Sequence, residues 1–178
     1  MRSGLFLIIL LMTISSGVLA CGCLPNDSIV NEYKEAKIVF EGKVIQIDTI
    51  YNSDTVRDVI SSKNRKPHTE VRLRKYLAVK FAVVRLFKED SQSMVMVVIT
   101  STVGTRCGFD FDVNLDYIVY GYNELVNLVD KSDLGSYQNH RKKIKTSKVT
   151  MYSTSLCTRT TPWIKEEISE LKKNKLIE

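Results

Sequence analysis

The sequence predicts a mainly β protein: a five-stranded Greek-key barrel with one helix before it and one after it. Two observations predict it. Five stretches are rich in β-branched residues and carry period-two apolar alternation or short apolar runs. Only two stretches, one near each end, have helical spacing with capping residues. A small closed barrel is the economical arrangement for such a set. No internal repeat or low-complexity segment interrupts it.

Residues 1–20 are set apart from the fold. Arg2 is a positive start, LFLIILLMT (5–13) an apolar run, and Val18, Leu19 and Ala20 the small or medium residues that a signal peptidase reads. The run is shorter than the roughly 20 apolar residues a membrane helix needs. The expectation is an export signal cut after Ala20, leaving residues 21–178 as one domain with a sizeable core. No second long apolar run follows, so no transmembrane segment is expected. The mature chain is expected to be secreted and monomeric.

The elements follow in order. In NDSIVNEYKEAK (26–37), Asp27 or Ser28 can cap a short helix with Ile29, Val30 and Tyr33 on one face. IVFEGKVIQIDTI (38–50) reads as a strand, with Gly42 at a bulge or sharp bend. Residues 51–68 are polar and read as a long loop. EVRLRKYLAVKFAVVRLFK (70–88) alternates through Val71, Leu73, Leu77, Val79, Phe81 and Val83, with a register change expected near Lys75 and Tyr76. SMVMVVITS (93–101) is a third strand, residues 102–116 a glycine-containing connection, and YIVYGY (117–122) a short fourth strand. A basic region precedes the last strand, KVTMYSTSLC (148–157). TPWIKEEISELKK (161–173) is a helix in which Thr161 caps and Pro162 takes the first turn. Glu166 and Glu167 lie early, Lys172 and Lys173 late, and Ile164, Ile168 and Leu171 form the buried stripe.

The chain carries 26 Lys and Arg against 20 Asp and Glu, a formal charge of +6 that becomes +5 without Arg2. The excess sits largely in SSKNRKPH (61–68) and NHRKKIKTSK (139–148), both read as exposed loops that can hold a polyanion. Aromatic residues do not interleave with these charges, so nucleic acid is not expected as a partner.

An enzyme is not expected. The two histidines, His68 and His140, fall in the basic loops. No H-E-x-x-H, G-x-S-x-G or P-loop pattern is present. Asp110 and Asp112 in DFD are weak as a cation site, and the chain is expected to hold no metal or cofactor of its own.

The four cysteines, Cys21, Cys23, Cys107 and Cys157, all follow the signal. An even count in an exported chain argues for disulfides. A Cys21–Cys23 bridge would close a very small, strained ring. Each cysteine of the close pair is therefore expected to reach one of the distant two, in either combination. A redox dithiol or a Cu(I) pair would leave Cys107 and Cys157 without partners. Lipidation of Cys21, anchoring the chain in a bacterial envelope, would leave an odd thiol. One reading leaves nothing over. Cleavage frees the Cys21 amine, whose pKa near about 8 leaves a useful fraction neutral. That nitrogen and the Cys21 carbonyl oxygen can form a five-membered chelate on a metal. A catalytic zinc keeps one position for water, and a rigid amino terminus can take it.

At these residues the sequence resembles the tissue inhibitor of metalloproteinases family, of the netrin-like group. The resemblance rests on Cys21-x-Cys23-x-Pro25, VFEGKVI (39–45), RCGFDF (106–111) with LDYIVYG (115–121), and TSLCTRTTP (154–162). It covers most of residues 21–178. It implies an OB-like barrel, Cys21 paired with Cys107 and Cys23 with Cys157, and chelation of the target's zinc by Cys21. It also implies a contact ridge in which Val103 to Arg106 lie beside Cys21 to Pro25.

Three departures accompany it. The family's third disulfide is missing, and so is the second, cysteine-rich domain of the animal inhibitors. Residue 22 is glycine where the family places Ser or Thr in the protease's specificity pocket, which forfeits contacts and loosens the terminus. The leading expectation is thus a secreted inhibitor of zinc metalloproteases. Cys21 is the chelator, and Gly22, Cys23, Leu24, Pro25, Thr105 and Arg106 complete the ridge. The alternative is a non-inhibitory netrin-like module, free or lipid-anchored, that binds extracellular or envelope polyanions; a thiol oxidoreductase is the third class.

Overall fold

A computed structural model describes residues 28–58, 68–89, 93–102, 107–134 and 146–178. The expected signal (1–20), Cys21 to Pro25, and Thr105 and Arg106 lie outside the described residues.

The five strands are β1 (Ile38–Asp58), β2 (His68–Lys88), β3 (Val95–Ser101), β4 (Asp116–Val129) and β5 (Thr146–Ser153). They join in the order β1-β2-β3-β5-β4, and β4 closes the ring on β1. Helix α1 (Ile29–Glu35) precedes the sheet and α2 (Ile164–Lys173) follows it. The expected five-stranded barrel with flanking helices is the observed architecture.

Two strands run further than their alternation suggests. β1 continues to Asp58 against His68, where sequence reading places a loop over 51–68. Polar residues hold this arm together: Arg74 pairs with Asp54, and Asn52 accepts a 2.9 Å hydrogen bond from the Asn127 amide of β4. A ladder needs backbone pairing and not apolar side chains, so period-two hydrophobicity misses it. His68 consequently sits in β2 and not in a loop. β4 likewise continues past Tyr122 to Val129, paired with β5, whose first residues are Thr146, Ser147 and Lys148 of the basic stretch. β5 ends at Ser153, short of the expected Cys157.

The bulge at Gly42 is present, with a register shift between Glu41 and Gly42. A Cβ there would come within 2.9 Å of the Phe40 ring. The register change expected near Lys75 and Tyr76 is absent, because pairing runs unbroken from Gln46–Lys80 to Asp58–His68. Leu73, Lys75 and Leu77 share one face throughout. Tyr76 and Ala78, on the other face, enter a second apolar cluster with Ile99 and Val126.

The main core joins Phe40, Val44, Val79, Phe81, Met96, Val98, Phe111, Tyr117 and Val119. Its aromatic rings meet edge to face: Phe40 on Phe81 and Phe81 on Phe111, each at 5.3 Å, and Phe111 on Tyr117 at 5.0 Å. A further cluster of Ala36, Val39, Ile118 and Tyr120 takes Tyr33 from α1 and Ile164 and Ile168 from α2.

Ser28 caps α1 by accepting from the Asn31 amide. The far end of α1 is closed by Lys88, whose Nζ donates to the carbonyls of Tyr33, Lys34 and Ala36. The cap of α2 differs from expectation. Thr161 is bridged to Ile118 through both backbone groups, at 2.9 Å each. That pairing holds it outside the helix, so Trp163 is the N-cap and Pro162 precedes it. The buried stripe includes Leu171 as expected, and also Glu167.

Candidate functional site

The site is the end of the barrel where RCGFDF and TSLCTRTTP meet. Cys107 follows β3 through residues outside those described. Its placement is set by the next residues. Gly108 lies so close to β3 that a Cβ would stand 1.9 Å from the Ser101 carbonyl oxygen. The Phe109 amide donates to Thr100 Oγ1 at 2.8 Å. Phe111 inserts its ring into the core between exposed Asp110 and Asp112, and the Asp112 amide donates to Tyr117 Oη at 3.0 Å. The two carboxylates therefore flank a buried aromatic residue, and no cluster of three metal-ligating side chains occurs among the described residues.

The second segment is anchored in the same place. The Thr154 amide donates to the Ile99 carbonyl at 2.9 Å. The hydroxyls of Thr154, Thr158 and Thr160 bond to one another at 2.7 to 3.2 Å. Thr160 Oγ1 accepts from the Tyr120 amide at 3.0 Å. The Leu156 amide then donates to the Cys107 carbonyl at 2.8 Å. Cys107 and Cys157, far apart in sequence, are thereby neighbours. Both are disulfide-bonded, and no free cysteine is present among the described residues.

Beneath this end, Arg159 grips α2. Its guanidinium donates to both Glu167 oxygens, at 2.9 and 2.7 Å, and to Glu170 at 3.0 Å. The Arg159 pKa is raised, first by the hydrogen bond to Glu167. Burial, and then Glu167, hold the Tyr120 hydroxyl far above the ordinary tyrosine range.

Of the sequence-predicted site residues, Cys107 and Cys157 are brought together. Cys21, Gly22, Cys23, Leu24, Pro25, Thr105 and Arg106 lie outside the described residues. Sequence reasoning missed the anchors. Gly108 had no signal of its own, since a glycine permits close approach without saying which backbone it meets. Glu167 had one, lying among Ile164, Ile168 and Leu171 on a helix face. Among the described residues no helix is long and apolar enough to cross a membrane. No family model matches the chain, and no curated protein matches it in sequence.

Proposed function

We propose that this chain is an exported inhibitor of zinc metalloproteases that acts through the amino terminus of Cys21. One observation carries the reading: Cys107 and Cys157 are neighbours, tied by the Leu156–Cys107 hydrogen bond, and both are disulfide-bonded. Cysteines separated by one residue need bonding partners that are themselves close together. The pairing of Cys21 with Cys107 and Cys23 with Cys157 satisfies that need and holds Gly22 between two bonds.

The mechanism follows from the residues. Removal of the signal frees the Cys21 amine. Its nitrogen and carbonyl oxygen occupy the position on the protease's zinc where the attacking water would bind. The two bonds hold the terminus in the chelating geometry, so little ordering cost opposes binding. Leu24 and Pro25 on one side, and Thr105 and Arg106 on the other, cover the flanking cleft. The basic stretches 61–68 and 139–148 take no part in this step and are the proposed means of holding a polyanion.

The test has two parts. Intact mass of the secreted protein is expected to begin at an unmodified Cys21 and to gain two hydrogens per bond on reduction. A lipid adduct at Cys21, or free thiols at Cys21 and Cys23, would overturn the reading in favour of a lipoprotein binding module or a redox protein. Against a panel of zinc metalloproteases, acetylation of the Cys21 amine is expected to abolish inhibition, because an amide nitrogen is a poor zinc ligand. Undiminished inhibition after acetylation would overturn the chelation mechanism.

A further inference from the structure

β3 and β5 run side by side only at Val98–Tyr152 and Ile99–Ser153. Past that point they flank a cleft of about 210 Å³, whose walls include Tyr76, Thr100, Ser101, Glu124, Ser153 and Ser155. The volume is below the roughly 300 Å³ at which drug-sized ligands begin to fit, and suits one side chain or a small ion.

Two features decide what it can hold. The first is Glu124. Its half-buried carboxylate accepts a single hydrogen bond among the described residues, from Tyr76 Oη at 3.3 Å. It has no ion-pair partner among the described residues. The nearby cation Arg74 is engaged by Asp54. Among the described residues no cation is bonded to this carboxylate, so it is available as a counter-charge. Partial removal from water strengthens its attraction for a positive group. The second feature is the supply of acceptor oxygens. Thr100 Oγ1 accepts from Phe109, Ser155 Oγ accepts from Cys157, and Ser153 Oγ donates to the Tyr122 carbonyl. Each hydroxyl oxygen keeps acceptor capacity beyond those bonds. Ammonium and guanidinium groups carry donors only, so they match a wall of this kind. An anion would face Glu124, and an apolar group would strip water from it without replacement.

We propose that this cleft binds an alkylammonium or alkylguanidinium group, such as a lysine or arginine side chain, with Glu124 as the counter-ion and the Ser153 and Ser155 hydroxyl oxygens as further acceptors. The assignment is independent of the protease reading, since it uses none of the residues at the amino terminus.

The experiment is an NMR titration of the ¹⁵N-labelled protein with n-butylammonium, n-butylguanidinium and n-butanol. Saturable shifts are expected at the amides of Ser101, Glu124 and Ser153 with at least one cation, and none with butanol. The stronger of the two cations identifies a lysine-like or an arginine-like ligand. Glu124→Gln is expected to weaken binding about ten-fold or more, a loss of about 1.4 kcal/mol or more, while Glu124→Asp retains part of it. Absence of saturable shifts, equal response to butanol, or undiminished binding to Glu124→Gln would each overturn the assignment. If a variant does not fold, the comparison of cations with butanol on the unaltered protein still decides.

Discussion

The Tyr120 hydroxyl donates a 2.5 Å hydrogen bond to Glu167 Oε1, fastening the middle of β4 to the buried side of α2. Arg159 completes the arrangement with two bonds to the same carboxylate. An acid on an apolar helix stripe is tolerated only because every oxygen finds a donor. The cation comes from the segment directly after Cys157, so the helix and the cysteine-bearing loop are held as one unit.

Removing one member of a buried pair leaves the other uncompensated. Arg159→Met is expected to destabilise the fold by about 3 kcal/mol, the lower end for buried pairs because Arg159 is partly exposed. Urea unfolding measures it. A loss under about 1 kcal/mol would show that Glu167 finds other donors or water. Tyr120→Phe, which removes one neutral donor, is expected to cost about 1 to 2 kcal/mol.

Gly108 and Gly121 separate two kinds of close contact. A Cβ on Gly108 would stand 1.9 Å from backbone, the Ser101 carbonyl, whereas one on Gly121 would stand 2.6 Å from the Ile38 side chain. Backbone held in a barrel cannot step aside, whereas the Ile38 Cγ2 methyl can move, though only with a repacking of that buried, β-branched side chain. Gly108→Ala is therefore expected to cost about 3 kcal/mol or more and to displace Cys107, while Gly121→Ala costs about 1 to 2 kcal/mol. Thermal unfolding orders the two. Non-reducing peptide mapping is expected to show mispaired cysteines for Gly108→Ala alone.

Alkali is expected to unfold the protein earlier than carboxylate chemistry would suggest. The hydroxyls of Tyr120 and Tyr122 are held far above the ordinary range by burial, then by bonds to Glu167 and Glu32. Tyr152 is pushed up to about 12 by burial, then by Glu89. In the unfolded chain each ionises near about 10. The unfolded state thus loses its protons first. The stability from these groups is whole below pH of about 10 and declines as pH rises through the folded values. Urea midpoints measured from neutral to strongly alkaline pH test this, and a midpoint unchanged well above pH of about 10 would contradict it.

Under the proposed function, Gly22 is the weakest part of the ridge. Gly22→Thr restores a side chain for the protease's specificity pocket and stiffens the terminus. Inhibition of at least some proteases in a panel is expected to strengthen about ten-fold or more. A fall in potency across the whole panel would show that glycine is needed there for close approach.

Much of the barrel was legible because strand alternation and helix caps are local properties. Phe40 and Val44 around the Gly42 bulge, and Ser28 before Ile29, announce themselves within a few residues. Of the arm formed by 51–58 and 68–75, the strand from 70 onward was legible but 51–58 was not, since its pairing rests on backbone bonds and the Asp54–Arg74 contact. Thr161 looks like a cap from its neighbours, yet Ile118, distant in sequence, takes its backbone. The Glu124 cleft left no local trace either. Tyr76, Ser101, Glu124 and Ser155 come from four separate stretches and carry no common motif.

The class of fold, the two flanking helices and the Gly42 bulge could be read from the amino-acid order alone. Each depends on periodicity, capping or residue type within a short window. That Cys107 and Cys157 stand side by side, that Glu167 is buried against Tyr120 and Arg159, and that Glu124 faces a cleft emerge only from the folded chain. Those outcomes depend on where β3 meets β5 and where β4 closes on β1, and ring closure is set by the whole chain at once.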